Sequence, residues 1–312
     1  MTHPRLASLF AALIALLAIT SAPTPAAAEE ITLATYNVEN LFDRFDNPYK
    51  TDETTEIKKR EDLRRLAATI RAVDADVIGF QEIENEYVLA ALNDELLRGM
   101  GYEYVVSLPS NDGRGITLGL LSRLPVLAAT SHRWEHIPHR GAESTHRWAR
   151  DLQRVTLALP DGQTLDFFNV HFKSRGSRPG DERSNGWRTA EATRAREIVN
   201  RILADDPDAL IAFVGDFNSE PHDPAARAFF DPQGPGTPLI DLLADVPPEE
   251  KYTYVFGNFP DAVFDYIAVS PALHTHLVPG SAKVMPKNAA ARGSDHLPVV
   301  ATFDIPSKPV GR

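Results

Sequence analysis

The stretch from Ile211 to Pro221, which reads I-A-F-V-G-D-F-N-S-E-P, constrains the fold of this chain more than any other. A continuous apolar run of this length is typical of a buried strand. The run stops at Asp216 and Asn218, whose i, i+2 spacing places both side chains on one face of a strand. Carboxylate and carboxamide oxygens held together suit a hard cation, a phosphate or an attacking water. The stretch therefore predicts a buried strand with a functional site at its end.

Apolar, β-branched or alternating segments recur along the chain, and each is predicted to be a strand. They are Ile31 to Val38, Asp76 to Ile83, Tyr102 to Leu108, Thr117 to Leu121, Val155 to Leu159, Leu165 to Phe172, Leu210 to Phe217, Asp265 to Val269 and Pro298 to Phe303. Helical spacing of apolar residues appears in Leu63 to Val73 and in Ala195 to Ile202. Asp161-Gly162 is a hairpin signal between two strands, which disfavours a purely parallel sheet. We therefore expect a mixed α/β fold with two packed sheets and helices outside.

The first residues have the pattern of a secretory signal peptide. Arg5 precedes an apolar stretch from Leu6 to Ile19, and a small-residue segment ends at Ala28. We expect residues 1–28 to be removed and residues 29–312 to form a single domain that is secreted or periplasmic. No later segment is long and apolar enough to predict stable membrane insertion.

Composition narrows the chemistry. The chain has no cysteine, which excludes disulfides, thiol nucleophiles and thiolate zinc sites, so any metal must be bound by oxygen or imidazole. The formal net charge of -11 argues against broad affinity for nucleic acid, although an enzyme needs only a locally basic cleft.

Several predicted strands end in polar residues that a core would not select. The endings are Asn37 to Asn40, Gln81-Glu82, Asn169 to Lys173, Asp216 to Asn218, Asp265 and Ser294 to Pro298. Taken singly, each has a structural alternative as a helix cap, a turn residue or a solvated charge. Taken together they predict one site, because catalytic groups tend to lie at the strand ends of a rigid sheet scaffold.

The side chains in these endings favour hydrolysis of a phosphate ester. Oxygen ligands suit magnesium, manganese or calcium, histidine and lysine donate to phosphate oxygens, and an aspartate can orient water. The oxygen ligands are those of Asn37, Glu82, Asp216, Asn218 and Asp295. A G-x-S-x-G elbow, a Walker loop and a dinucleotide glycine fingerprint are absent from the sequence.

The ordered motifs Y-N-V-E-N, Q-E-I-E, N-V-H-F-K-S, G-D-F-N-S-E-P, D-Y-I and S-D-H-L-P resemble those of the endonuclease/exonuclease/phosphatase family, which has the deoxyribonuclease I fold. N-V-E-N-L-F is typical of exported bacterial members, and H-F-K-S is the form seen in extracellular nuclease-like ones. The resemblance spans nearly all of residues 29–312. It implies an α/β fold, a four-layered α/β sandwich of two packed mixed β-sheets flanked by helices.

The resemblance also implies roles for individual residues. Asn37, Glu82 and Asp295 match metal-binding positions, and the implied cofactor is Mg²⁺, with Mn²⁺ or Ca²⁺ as alternatives. The residues that match catalytic positions are Asp216 for water, Asn218 for the phosphate, His296 with its partner Asp265, and His171 as a second phosphate-contacting histidine. Arg150 and Lys173 match phosphate-binding positions.

One departure concerns His171. Deoxyribonuclease I pairs its second histidine with a glutamate, whereas the segment from Leu108 to Leu121 offers only Asp112. A partner for His171 is therefore not assigned.

Three polar, aperiodic segments are expected to set substrate choice, namely Asp43 to Thr55, His132 to Arg147 and Gly176 to Asn185. Trp134, Trp148 and Trp187 lie in or beside them and are candidates for base stacking. We expect a secreted, divalent-metal-dependent phosphodiesterase, a nuclease with DNA or RNA as its partner. The alternatives are a sphingomyelin or inositol-phosphate hydrolase, whose partner is a phospholipid or an inositol phosphate, and a non-catalytic binding protein. A protein partner cannot be inferred from the sequence.

Overall fold

The structure is a computed structural model that describes residues 28–45, 47–51, 55–138, 146–177, 179–231, 236–255, 260–286 and 293–306. The predicted signal peptide lies outside the described residues except for Ala28, the first residue of a strand. Its cleavage therefore stays a prediction.

The strands of the described residues are β1 (Ala28–Leu41), β2 (Val77–Ile83), β3 (Tyr104–Leu108), β4 (Thr117–Ser122), β5 (Val126–Ser131), β6 (His136–Ile137), β7 (His146–Arg147), β8 (Leu152–Ala158), β9 (Thr164–His171), β10 (Leu210–Asp216), β11 (Ile240–Asp241), β12 (Asp265–Val269), β13 (Lys283–Val284) and β14 (Val299–Pro306). The helices are α1 (Arg60–Val73), α2 (Glu86–Leu96), α3 (Asn185–Asp205), α4 (Pro224–Phe230) and α5 (Pro271–His274), with 3-10 turns at Glu182–Ser184 and Pro248–Glu250.

The strands form two six-stranded sheets and one two-stranded sheet. The first sheet has the order β13-β14-β1-β2-β4-β3, the second β11-β12-β10-β9-β8-β5, and β6 pairs with β7. The pairs β1/β2 and β9/β10 are parallel, and the other neighbouring strands are antiparallel. Both large sheets are therefore mixed, as predicted.

Three hydrophobic clusters define the layers. The central cluster joins the facing sides of the two sheets and includes Leu33 of β1 and Val214 of β10. A second cluster packs α1 and α2 on the outer face of the first sheet, and a third packs α3 and α4 on the outer face of the second. The order helix, sheet, sheet, helix confirms the predicted four-layered sandwich.

Each predicted strand overlaps an observed one, and the predicted helical segments lie within α1 and α3. The hairpin at Asp161-Gly162 joins β8 to β9, with Gly162 at φ 82°. The sequence interpretation missed α2, although Asn85 caps it by accepting a hydrogen bond from the Val88 amide at 2.9 Å. It also missed β5, an edge strand whose side chains are mostly exposed.

The segments expected to be irregular differ in outcome. His132 to Arg147 contains the pair β6/β7, so the prediction of a wholly aperiodic segment was wrong there, while residues 139–145 lie outside the described ones. Gly176 to Asn185 contains the 3-10 turn at Glu182–Ser184. Asp43 to Thr55 has no helix or strand among its described residues.

Candidate active site

The side chains that point between the two sheets become polar at one edge of the sandwich. On β1, Leu33 lies in the central cluster and Asn37 continues the same face four residues later. On β10, Val214 lies in that cluster and Asp216 continues its face. Asn37 Nδ2 donates a hydrogen bond to Asp216 Oδ2 at 3.0 Å. Strand alternation therefore brings two residues that are distant in sequence, Asn37 and Asp216, into contact.

Strands β9 and β12 contribute to the same edge by the same alternation. Phe167 and Ile267 lie in the central cluster, and their strands carry His171 and Asp265 on the matching faces. His171 Nε2 lies 3.5 Å from Asp216 Oδ2. The end of the second sheet thus holds two buried carboxylates and an imidazole.

The backbone at the end of β10 is specialised. Gly215 has φ 135°, and a Cβ there would lie 2.0 Å from the Val170 carbonyl oxygen. Asn218 has φ 49°, and its amide N–H donates to Asp216 Oδ1 at 2.7 Å. Its side-chain Nδ2 donates to the Phe172 carbonyl at 3.2 Å. The turn therefore fixes one carboxylate oxygen of Asp216 and leaves the other facing the cleft.

His296 lies in the loop before β14 and forms a close pair with Asp265. Its Nδ1 is 2.7 Å from Asp265 Oδ2, the carboxylate with which the resemblance pairs it. Ser294 Oγ accepts the His296 amide at 3.1 Å and donates to the Asn37 carbonyl at 2.7 Å. Burial opposes the charged imidazole, but the Asp265 carboxylate outweighs it and raises the pKa of His296 to about 10. Its free Nε2 lies 3.8 Å from Asp216 Oδ2.

His171 has a different environment. Its buried Nδ1 has no hydrogen-bond partner among the described residues. Burial, together with the Arg150 guanidinium, lowers the pKa of His171 well below its usual value, so the imidazole is neutral. Asp112 pairs instead with Arg150, at 3.1 Å from Oδ2 to Nε. The Asp112 carboxylate, which was the only candidate partner for His171 in the segment from Leu108 to Leu121, therefore pairs with Arg150 instead.

A β-bulge presents Glu82 to the cleft. The pairing of β2 with β4 shifts between Gln81 and Ile83, and Glu82 has φ 64°. Such a bulge redirects a side chain out of the regular alternation. Glu82 Oε2 accepts the Asn40 amide at 3.1 Å, and Oε1 lies 3.4 Å from Asn37 Nδ2. The bulge, which strand periodicity does not predict, brings the carboxylate to the site.

Glu82, Asp295 and Asn37, the predicted metal-binding residues, supply the oxygen atoms that a divalent cation prefers. Burial raises the pKa of Asp295, and the Glu82 carboxylate adds to this effect against the opposing charge of His296. Burial and Asp295 likewise raise the pKa of Glu39. Crowded carboxylates and an amide oxygen are the ligands of a hard cation, which would relieve their mutual repulsion.

Another group, Asp216, Asp265 and His296, has ligand atoms that all lie within 4.8 Å of one another. In this group Asp265 Oδ2 and His296 Nδ1 are already joined to each other at 2.7 Å. The assignment of the cation to Asn37, Glu82 and Asp295 therefore stays a prediction.

The site opens into a cleft of about 580 Å³. The predicted site residues that line it are Glu82, Arg150, His171, Asp216, Asn218, Asp295 and His296. Asn37 forms part of its floor through Asp216, and Asp265 lies behind His296. The structure thus brings these predicted residues together, and their individual roles stay predictions.

Lys173 and the tryptophans lie elsewhere. Lys173 Nζ is 3.3 Å from Ser174 Oγ and 5.8 Å from the Trp187 ring centroid, and it does not line the cleft. Its assignment to phosphate therefore stays a prediction. Trp148 is 2% exposed and packs in the cluster under α3, so the expectation that it stacks bases was wrong. Trp134 is 60% exposed.

Helix α3 carries two functional residues that the sequence interpretation missed. Glu191 accepts the Ala149 and Lys173 amides at 2.7 and 2.6 Å. Arg188 donates to the Lys173 carbonyl at 2.8 Å and to Ser219 Oγ at 3.0 Å. The two side chains therefore hold the segments that carry Arg150, His171 and Asn218. The i, i+3 spacing of Arg188 and Glu191 places both side chains on one face of the helix. Charged residues on a helix face are usually solvated, so the sequence alone did not mark these two as site residues.

A buried amide pair joins the sheets below the cleft. Gln81 Nε2 donates to Asn169 Oδ1 at 2.7 Å, and Asn169 Nδ2 donates to the Phe80 and Gly119 carbonyls, both at 3.0 Å. Both amides are fully buried. They fix the relative position of β2 and β9, which carry Glu82 and His171.

The comparisons with known proteins agree with this architecture. Residues 32–298 match the model of the endonuclease/exonuclease/phosphatase family. No curated protein sequence matches the chain. Among the described residues, no helix is both long and apolar enough to cross a membrane.

Solved structures share the fold at low identity. Truncated TDP2 from Caenorhabditis elegans is 18% identical with a TM-score of 0.59, and the match covers 88% of this chain and 97% of that one. The human Nocturnin catalytic domain, solved with bound sulfate, is 18% identical with a TM-score of 0.61 over 89% and 97%. A mannosyl-6-phosphatase from Bacteroides thetaiotaomicron is 19% identical with a TM-score of 0.58 over 87% and 98%.

Proposed function

Because the chain belongs to the endonuclease/exonuclease/phosphatase family and is a metal-dependent phosphoester hydrolase, we propose that it is a nuclease that hydrolyses the phosphodiester bonds of DNA or RNA. The observation that carries the proposal is the setting of Asp216 Oδ2. It lies 3.0 Å from Asn37 Nδ2, and 3.5 and 3.8 Å from the Nε2 atoms of His171 and His296. A carboxylate among hydrogen-bond donors at the floor of a cleft is suited to orienting water beside a phosphate.

Asp216 acts as the base in this proposal. Burial and the nearby Asp265 carboxylate raise the pKa of Asp216 to about 7. A base is most effective when its pKa lies near the working pH. Asp216 therefore orients the attacking water and accepts its proton.

The two histidines act on the phosphate in different protonation states. His296 is cationic, and its Nε2 donates to an oxygen of the phosphate or of the leaving group. His171 is neutral and presents its own Nε2 beside Asp216. Asn218 lines the same cleft as the two histidines and holds a phosphate oxygen. These donors stabilise the charge that develops in the transition state.

Glu82, Asp295 and Asn37 hold the cation, for which Mg²⁺ is proposed and Mn²⁺ or Ca²⁺ are the alternatives. A bound divalent ion supplies charge stabilisation for the reacting phosphate. Oxygen ligands without sulfur support this choice of metal.

The nucleic-acid part of the proposal is supported by the N-V-E-N-L-F and H-F-K-S motifs, which resemble those of exported bacterial nucleases. An anion site in this fold is supported by the Nocturnin domain, which was solved with sulfate. The mannosyl-6-phosphatase of the same fold makes a phosphosugar the competing substrate class.

A substrate panel tests the proposal. Purified protein is assayed with Mg²⁺, Mn²⁺ or Ca²⁺ on linear DNA, circular DNA, RNA, sphingomyelin, an inositol polyphosphate and a phosphosugar. We expect nucleic acid to be cut, EDTA to abolish cutting and Mg²⁺ to restore it. Cutting of circular DNA assigns endonuclease action. Turnover of a phosphosugar, an inositol phosphate or a lipid, with nucleic acid left intact, would overturn the nuclease assignment.

We also propose that residues 1–28 direct export and are cleaved after Ala28. The charged start, apolar stretch and small-residue end support this. Mass spectrometry of the protein recovered from periplasm or medium should give an N-terminus at Glu29. Recovery of uncleaved protein from the cytoplasm alone would contradict export.

A further inference from the structure

The cleft is lined by more arginines than a single phosphate requires. They are Arg114, Arg150, Arg175 and Arg183. Two of them are tied to carboxylates, since Arg150 Nε lies 3.1 Å from Asp112 Oδ2 and Arg175 Nη1 lies 3.4 Å from Glu220 Oε1. These ion pairs hold the guanidinium groups of Arg150 and Arg175 in place. The other two arginines, Arg114 and Arg183, are not held by such pairs among the described residues.

Arg114 makes no ion pair with any carboxylate in the described part of the chain. Its Nη1 donates to Asn40 Oδ1 at 3.4 Å, and its backbone N–H donates to Asp112 Oδ1 at 2.9 Å. Asn40 also donates its amide N–H to Glu82, so Arg114 lies beside the proposed cation site. The side chain is exposed at the cleft, on the loop that enters the first sheet at β4.

Arg183 likewise has no carboxylate partner among the described residues, and it enters the cleft from the turn before α3. Arg183 and Ser184 have φ 55° and 52°, which is the left-handed region that side chains seldom adopt. The Arg183 amide donates to Ser177 Oγ at 3.1 Å, and its carbonyl accepts from the buried Arg188 at 3.1 Å. Two strained residues are therefore held in place with an exposed cation pointing to the cleft.

We propose that Arg114 and Arg183 are substrate-binding residues that contact phosphates adjacent to the scissile one, so that the cleft takes a nucleic-acid strand rather than a compound with a single phosphate. This inference rests on the proposed nuclease function. Charge complementarity supports it, because a chain with a formal net charge of -11 keeps two arginines without carboxylate partners at this cleft. The two arginines come from loops of different sheets, which suits a ligand extended across the site.

Other side chains are available to bind the reacting phosphate. His171, His296 and Asn218 lie around Asp216 at the floor of the cleft. Arg114 and Arg183 lie on loops at its rim, so their natural ligands are phosphates outside the reacting position. Guanidinium groups bind phosphate with strong, charge-assisted hydrogen bonds.

Salt-dependent binding tests the proposal without catalysis. The full chain carrying Asp216→Asn is titrated with a fluorescein-labelled, single-stranded oligonucleotide in Mg²⁺ over a range of NaCl concentrations, and anisotropy gives the affinity. Each phosphate contact contributes about 0.7 to the slope of log affinity against log salt for a single strand. We expect Arg114→Ala and Arg183→Ala each to reduce the slope by about that amount. The matched control is Arg201→Ala, an exposed arginine of α3 away from the cleft, which should leave the slope unchanged.

A kinetic comparison separates this inference from the nuclease proposal. With Asp216 intact, each arginine variant should lose about 10- to 100-fold more kcat/KM on the oligonucleotide than on bis(p-nitrophenyl) phosphate. If the wild-type protein cuts nucleic acid but both variants keep its salt slope, the arginine assignment is wrong and the nuclease stands. If the wild-type protein cuts no nucleic acid, the nuclease proposal itself fails. Equal losses on both substrates would place the arginines in support of the catalytic centre and overturn the inference.

Discussion

Asn37 Nδ2 and Asp216 Oδ2 lie 3.0 Å apart and join the two sheets at the floor of the cleft. Each residue ends the inward face of a strand, β1 in the first sheet and β10 in the second. The contact therefore couples the side of the site assigned to the metal with the side assigned to water. Packing of the two sheets sets the geometry between these functions.

The Asp265–His296 pair should control the charge on His296. In Asp265→Asn the imidazole loses the carboxylate that raises its pKa to about 10, so the neutral form should dominate near pH 7. We expect kcat to fall by about 10²-fold or more. The pH–rate profile is the diagnostic measurement, because the upper limb should move to lower pH.

Asp241→Asn is the matched control for this variant, since Asp241 lies on β11 of the same sheet and does not line the cleft. An Asp265→Asn profile that overlays both the wild-type and the control profiles would exclude a catalytic role for the pair.

Gly215 should tolerate no side chain. A Cβ at this position would lie 2.0 Å from the Val170 carbonyl, and the φ of 135° disfavours any other residue. Gly215→Ala should lower the free energy of unfolding by about 2 kcal/mol or more, measured by urea denaturation. Gly176→Ala, where a Cβ meets no atom within 4 Å, should change it little. Equal stability of the two variants would show that β9 and β10 can separate without cost.

Glu191 should make folding stability depend on pH. Burial raises the pKa of Glu191 to about 7, whereas the carboxyl titrates near its ordinary 4.5 in the unfolded chain. The folded state binds the Glu191 proton more tightly than the unfolded chain does. The resulting contribution to the free energy of unfolding is fully present below about pH 4.5 and is lost as the pH rises through about 7. The loss is about 3 kcal/mol.

Comparison with Glu191→Gln isolates this effect, because glutamine does not titrate. The wild-type free energy of unfolding minus that of the variant should decrease between pH 4.5 and pH 7.5, while the other groups cancel. A constant difference over this range would mean that the Glu191 carboxyl is ionised at little cost in the fold.

Strand alternation explains why much of the site was predictable. Asn37, His171, Asp216 and Asp265 each continue an inward face whose earlier residues are apolar, so their positions follow from the sequence pattern. The pairing of His296 with Asp265 came only from the family resemblance, because the two residues are 31 positions apart in sequence.

The remaining features depend on contacts that no local pattern encodes. Glu82 reaches the cleft through a bulge. Arg188 and Glu191 act by binding backbone groups of Ala149 and Lys173 and the hydroxyl of Ser219. Trp148, directly after a polar segment, is buried because the aromatic cluster under α3 extends to it. Each of these requires knowledge of which strands and helices pack together.

Replacement of the Asp216 carboxylate by an amide tests the central role of this residue most directly. Asp216→Asn keeps the size of the side chain, so the protein should remain folded, which circular dichroism and thermal melting check. With saturating Mg²⁺ and the best nucleic-acid substrate, we expect kcat to fall by about 10²- to 10⁴-fold. A folded Asp216→Asn protein that retains wild-type kcat would contradict the assignment of Asp216 as the residue that orients and deprotonates water.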